Sequence, residues 1–191
     1  MPELKGTRTE ENLLAAFAGE SQARNRYTFA AKIAAKQGLH QIAEIFTETA
    51  DNEREHAKRF FDFLQGGMVE ITASYPAGVT PELSEHLMSA AAGEHEEWTL
   101  LYPKFAQEAK EDGFPEIAAA FTMIAKVEKE HEARFNQLLE RVQQGTVYKR
   151  EEKVQWKCRN CGYVHEGTEP PPKCPACQHP KEYFEVRAQN Y

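Results

Sequence analysis

The sequence predicts an all-α four-helix bundle, a duplicated helical hairpin with a long crossover, followed by a small, mainly β and loop metal module. Three observations carry this. Ala, Glu, Leu, Ile and Phe recur at helical spacing up to about residue 146. Beyond it come Pro170, Pro171, Pro172, Pro175 and Pro180, which break helices, and all four cysteines lie in the same stretch. The helical part also repeats itself. Residues 1–146 are therefore assigned to the bundle and 147–191 to the module.

Thr7 and Glu10 have the spacing of a capping box and open the first helix, which Gly38 ends. The second helix runs to about Gln65, before Gly66 and Gly67. Residues 66 to about 80 form a long connection. Thr80 as N-cap and Pro81 at the first helical position open the third helix. Gly113 separates it from the fourth, which Gly145 ends. Two short turns imply antiparallel pairs, and the long middle connection implies a crossover.

Shifted by 75, Gly38, Ile42, Ala43, Phe46, Glu53, Glu55, His56, Arg59 and Phe60 fall on Gly113, Ile117, Ala118, Phe121, Glu128, Glu130, His131, Arg134 and Phe135. Ala18-Gly19-Glu20 falls on Ala92-Gly93-Glu94 at a shift of 74. Duplicated packing explains the Ile and Phe matches and the glycine stops. It does not explain Glu and His, because packing has no need of carboxylates.

With 41% hydrophobic and 28% charged residues, the chain has globular rather than disordered composition. Its net charge of −7 argues against nucleic acid as a partner, which needs a basic surface. Lys and Arg form no block suited to an anionic membrane. No apolar run approaches the roughly 20 residues of a membrane span, and residues 1–10 lack the apolar core of a signal peptide. The expectation is a soluble, cytoplasmic protein whose clustered thiols serve a metal rather than disulfides.

Glu53 and His56 stand three apart on one face of the second helix, and Glu128 and His131 repeat the spacing on the fourth. Glu20 and Glu94 add one carboxylate each from the first and third. A Glu from two helices and a Glu-x-x-His from the other two is the ligand pattern of carboxylate-bridged dinuclear bundles. Carboxylates bridge hard cations, and imidazole suits iron. Phe17, Phe46, Phe60, Ile124 and Phe135 flank these positions and turn their faces inward, where carboxylates without cations suffer desolvation and mutual repulsion. A single Glu-x-x-His is usually a solvated pair; two at a matched shift, each preceded by a matched Glu, point to a metal pair. Glu55, Glu96 and Glu130 read as surface charge. His40, His86, His95, His165 and His179 read as surface or local structure. The repeat fails at one place. Glu97 lies three residues after Glu94, where Ala23 stands after Glu20, so the third helix offers one extra carboxylate and the two metals are not equivalent.

Cys158-x-x-Cys161 and Cys174-x-x-Cys177 are two turns able to hold one metal tetrahedrally through four thiolates. A zinc ribbon has the same spacing. The local sequences, Cys158-Arg159-Asn160-Cys161-Gly162-Tyr163 and Cys174-Pro175-Ala176-Cys177, resemble the metal-binding turns of rubredoxin and tilt the choice to iron. Trp156, Tyr163 and Phe184 are the candidate small core.

Taken with these motifs, Ala18-Gly19-Glu20-Ser21-Gln22-Ala23-Arg24-Asn25-Arg26-Tyr27, Glu53-Arg54-Glu55-His56-Ala57-Lys58-Arg59 and the short spacer between the cysteine pairs resemble the rubrerythrin family over nearly the whole chain. The resemblance implies a ferritin-like di-iron bundle with a C-terminal rubredoxin-like domain. It implies Glu20, Glu53, Glu94, Glu97, Glu128 and His131 as di-iron ligands, Glu53 and Glu128 bridging, with His56 replacing Glu97 on one iron upon reduction. Tyr27 and Tyr102 match tyrosines that hydrogen-bond to ligand carboxylates. Cys158, Cys161, Cys174 and Cys177 would hold a rubredoxin-type iron. The implied activity is that of a non-haem di-iron peroxidase for oxidative-stress defence, reducing hydrogen peroxide to water with electrons relayed through the four-cysteine iron. The chain lacks a Gly-x-Gly-x-x-Gly fingerprint, so NAD(P)H chemistry falls to a separate donor such as rubredoxin or an NAD(P)H-dependent reductase. A homodimer is implied, the rubredoxin-like domain of one subunit facing the di-iron site of the other. Two rival readings use the same residues. One is a ferroxidase or iron-handling ferritin-like protein, against which the four-cysteine relay argues. The other is a non-enzymatic scaffold with a zinc ribbon, colourless where ferric iron on four thiolates is red.

Overall fold

The computed structural model describes residues 2–78 and 82–190. Helix α1 (Arg8–Lys36) opens at Thr7, whose hydroxyl accepts from the Glu10 N–H. The Glu10 carboxylate closes the turn one residue further out than the predicted box. It accepts from the Gly6 N–H at 2.7 Å, because the Thr7 N–H already donates to Leu4 O. Gly38, at φ +78°, turns the chain into α2 (His40–Phe61), with the Leu39 N–H donating back to Ala34 O. Helix α2 stops before the expected Gln65, since Phe63 and Leu64 fold back in tight turns and pack on the core. The expected cap at Thr80 and Pro81 lies outside the described residues, and α3 (Leu83–Glu96) is described from Leu83.

The third predicted helix is interrupted. Helix α3 passes into a π turn, Glu97–Leu101, and then into α4 (Tyr102–Glu111). The Tyr102 N–H donates to Glu97 O, five residues back instead of four. One extra residue is absorbed in this way without ending the helix. That is why the repeat shift is 74 from Glu20 to Glu94 and 75 from Tyr27 to Tyr102. Helix α5 (Pro115–Gln143) follows Gly113, whose turn repeats the Gly38 pattern through Phe114 N–H and Ala109 O.

Helix α1 packs on α2, and α5 packs on α3 and α4. Two aromatic clusters result. Tyr27, Phe46 and Phe135 form one, with ring centroids 5.1 to 5.9 Å apart. Tyr102, Phe121 and Phe60 form the other, at 4.8 to 5.8 Å. A shift of 75 carries each member of one cluster onto a member of the other, so the sequence repeat has become a pseudo-twofold in space. Each such ring pair contributes about 0.5–1.5 kcal/mol beyond simple burial.

In the module, β1 (Val154–Cys158) pairs antiparallel with β2 (Val164–Gly167) and with β3 (Phe184–Val186), which a 3-10 turn at Lys181–Tyr183 precedes. Trp156 and Phe184 are fully buried there, and the Trp156 indole N–H donates to Gly167 O. The module rests on the start of α2. The His40 and Tyr183 rings lie 4.1 Å apart, and Arg159 meets Glu44 at 3.4 Å.

Candidate metal centres

Glu20, Glu53, Glu94 and Glu128 are at most 1% exposed, although each carries a carboxylate. Their ligand atoms gather with the histidines into two sets. Glu20, Glu53, His56 and Glu128 form one, and Glu53, Glu94, Glu128 and His131 form the other, with one donor atom from each residue lying within 4.8 Å of the others in its set. Glu53 and Glu128 belong to both sets, which is the position of a bridging carboxylate. The sets exchange under the repeat, Glu20 and His56 for Glu94 and His131.

The histidine nitrogens stand within direct reach of the shared carboxylates. His56 Nδ1 lies 2.9 Å from Glu53 and 2.9 Å from Glu128. His131 Nδ1 lies 2.8 Å from Glu128 and 3.3 Å from Glu53. Yet Glu20 Oε2, Glu53 Oε1, both Glu128 oxygens and His131 Nδ1 are buried with no hydrogen bond of acceptable direction. Orphaned polar atoms of this kind are costly, and two cations satisfy them together. The donor set, carboxylate oxygens with one imidazole each, fits a di-iron pair.

The electrostatics show the same need. Burial, then neighbouring carboxylates, push Glu20, Glu94 and Glu97 well above the usual carboxylate range. Burial also opposes charge on Glu53, but the His131 and His56 imidazoles beside it outweigh that and hold its pKa at about 2. Burial opposes charge on the histidines too. Glu128 and Glu53 overcome it, raising His56 to about 10 and His131 to about 9. Without metal, protonated imidazoles thus act as the cations of the site.

Two tyrosines hold the outer carboxylates across the pseudo-twofold. The Tyr27 hydroxyl donates to Glu94, and that of Tyr102 to Glu20 at 2.5 Å. Burial first, then the carboxylates, keep both phenols protonated and so able to donate. Glu97 belongs to neither set. It sits half-buried in the π turn, close enough to Glu20 to be the strongest charged neighbour raising its pKa. His56 rather than Glu97 completes the Glu20 set in this structure.

Sequence reasoning missed two supporting groups. Asn52 Oδ1 lies 3.3 Å from His131 Nε2, and its counterpart at a shift of 75 is Val127, so the repeat carried no signal for it. Trp98, next to Glu97, donates its indole N–H to Glu132 at 2.5 Å and pins the π turn to α5.

In the module, all four cysteines are free and their sulfurs lie within 4.8 Å of one another. Cys158 and Cys177 are 3.7 Å apart, and Cys161 and Cys174 3.6 Å. Sulfurs at about 2.3 Å from a tetrahedral metal stand about 3.8 Å apart, so the cage has the right size. The two turns are built alike. Gly162 and Gln178, each directly after a pair's second cysteine, adopt φ of +80° and +63°. The His179 N–H favours the thiolate of Cys177, lowering it to about 6.

A family model for rubrerythrin matches residues 11–139 and 85–159, and one for the rubredoxin-like domain of rubrerythrin matches residues 156–185. The chain is 60% identical to a rubrerythrin of Porphyromonas gingivalis, over 98% of this chain and 94% of that one. It is 54% identical to a rubrerythrin of Nitratidesulfovibrio vulgaris over the full length of both. Among solved structures, a fully reduced, all-ferrous nigerythrin superposes with a TM-score of 0.63 at 31% identity, over 96% of this chain and 91% of that one. A bacterioferritin of Mycobacterium tuberculosis shares the fold alone, with a TM-score of 0.63 at 20% identity over 75% of this chain and 90% of that one.

Proposed function

The chain belongs to the rubrerythrin family, carrying a ferritin-like di-iron site and a rubredoxin-like four-cysteine site, and on that premise we propose that it is a peroxidase acting in oxidative-stress defence. It reduces hydrogen peroxide by two electrons and two protons to two waters. The observation that carries this is the pairing, in one chain, of two twofold-related ligand sets sharing Glu53 and Glu128 with a four-thiolate cage. When bound, the iron pair supplies two electrons to the O–O bond, and the four-cysteine iron passes electrons singly.

The residues have separate tasks. Glu20, Glu53, Glu94, Glu128 and His131 hold the pair, and His56 and Glu97 are alternative ligands at the Glu20 end. Tyr27 and Tyr102 fix the outer carboxylates. Glu97, which stands outside both ligand sets, is suited to carry a proton beside the substrate when His56 takes its place and to release it as the O–O bond breaks. The electron donor is a separate protein, rubredoxin or an NAD(P)H-dependent reductase. A homodimer in the cytoplasm is the working assembly. Among the described residues no helix is long and apolar enough to cross a membrane.

Mixing the anaerobically reduced protein with hydrogen peroxide or with dioxygen tests the reading. One peroxide should disappear per two electrons, far faster than dioxygen reacts, and the red colour of the ferric four-cysteine site should return. Faster reaction with dioxygen, with added Fe(II) oxidised and retained, would establish the iron-handling alternative instead.

A further inference from the structure

A cavity of about 500 Å³ lies between α1, α3 and the crossover. Ala15 and Gly19 of α1, Ala92 and Gly93 of α3 and Glu97 of the π turn line it, and Tyr75 of the crossover reaches across to Ala15 of α1 as its cover. Liquid water occupies roughly 30 Å³ per molecule, so the space exceeds what one structural water needs. The two glycines come from the repeated Ala-Gly-Glu and precede Glu20 and Glu94 directly. Glycine is disfavoured inside a helix, and neither position has the positive φ that would call for it. Crowding does not call for it either. A Cβ on Gly19 would meet Glu97 Oε1 at 3.9 Å, and one on Gly93 would meet Arg26 Nη2 at 3.8 Å, both ordinary contacts. What the missing side chains leave is open volume beside the one carboxylate that the repeat does not duplicate.

The wall is polar enough for a small hydrogen-bonding guest. Arg26 donates to Gln22 at 2.6 Å and to Ser89 at 3.4 Å. The cover is held lightly, by the Tyr75 hydroxyl donating to Ala15 O at 3.4 Å, and Tyr75 is 40% exposed. On the other side of the bundle, the groove beside Asn52 reaches His131 but not Glu97, whereas this cavity reaches Glu97 and Tyr102.

We propose that this cavity is the access chamber through which a small hydroperoxide reaches the Glu97 side of the site, with Gly19 and Gly93 setting the size it admits. The inference rests on the peroxidase reading for its substrate class. Gly19→Leu fills the chamber, and Tyr75→Ala opens its cover. Both are prepared as the full-length, iron-loaded protein. In Gly19→Leu, the rate at which hydrogen peroxide oxidises the reduced protein should fall at least tenfold, with iron content and the red absorbance unchanged. In Tyr75→Ala, the rate with tert-butyl hydroperoxide should rise at least fivefold relative to that with hydrogen peroxide. A third readout needs no peroxide chemistry: nitric oxide binding to the reduced protein, followed by absorbance, should slow in Gly19→Leu. Rates within twofold of the parent in both variants would overturn the chamber. If the parent itself fails to react with peroxide, the peroxidase reading falls, and the nitric oxide rates still decide the chamber. If Gly19→Leu loses iron, the Tyr75→Ala ratio decides it.

Discussion

The first hairpin and the second are copies that differ in their leading helix. Helix α1 runs unbroken from Arg8 to Lys36, whereas its counterpart is α3, a π turn and α4. What the copies share is the frame of the two candidate ligand sets: Glu20 and Glu94, the two Glu-x-x-His pairs, Tyr27 and Tyr102, and the two aromatic clusters. What they do not share is Glu97. An extra residue in an α-helix turns everything after it by about 100°. The π turn confines that rotation, so Tyr102 regains its place opposite Tyr27 while Glu97 stands on the bulge near Glu20. Duplication built a symmetric site, and one inserted residue made one end of it different.

The largest expected effect tests the shared part. Glu53→Ala removes a residue common to both ligand sets and should abolish binding of both irons, whereas Glu94→Ala should spare the iron of the Glu20 set; elemental analysis distinguishes the two. Equal losses would show that the sets are not arranged as described.

The metal-free protein gives the next largest. Both histidines titrate above their usual 6.5 when folded, at about 10 and about 9. Their contribution to stability is therefore complete below pH 6.5 and disappears as pH rises through 9 and 10. The melting temperature of the metal-free protein should fall by roughly 10 °C or more between pH 6.5 and pH 10. With iron bound the imidazoles carry no such proton, and the melting curve should be much flatter over the same range.

Deleting Leu100, an exposed residue of the π turn, should restore a regular helix and withdraw Glu97 from the site. Both irons should remain while peroxide turnover falls about tenfold, equivalent to roughly 1.4 kcal/mol of barrier. Glu97→Ala should do the same. Unchanged turnover in both would leave the asymmetry without a catalytic role.

The smallest effect sharpens the symmetry. Tyr27→Phe and Tyr102→Phe each leave one buried carboxylate oxygen without its donor, at a cost of about 1–3 kcal/mol. Chemical denaturation should find the two losses alike. A clear inequality would mean that the pseudo-twofold stops short of the tyrosines.

Much of this was legible in order along the chain. Gly38 and Gly113 close their helices with the same turn, as their matched positions foretell. The two Glu-x-x-His pairs do face one another. The cysteine spacing does yield a cage of tetrahedral size. Less legible was the π turn, whose trace in the sequence is a shift that changes from 74 to 75; a one-residue change reads equally well as a longer loop. Asn52 and Trp98 left no trace at all, because a single residue on a helix has no periodicity to betray its partner.

By itself the sequence determined the number of helices in the repeat, the residues able to bind metal and the place where the copies diverge, because periodicity and spacing are local properties of the chain. That Glu53 and Glu128 are shared is an expectation from the family resemblance; only the tertiary structure decided that the tyrosines cross over to the opposite copy's glutamate and that His56 rather than Glu97 completes one set. Those outcomes depend on how four helix faces meet. Burial then forces each stranded oxygen and nitrogen to find a counter-charge where the faces converge.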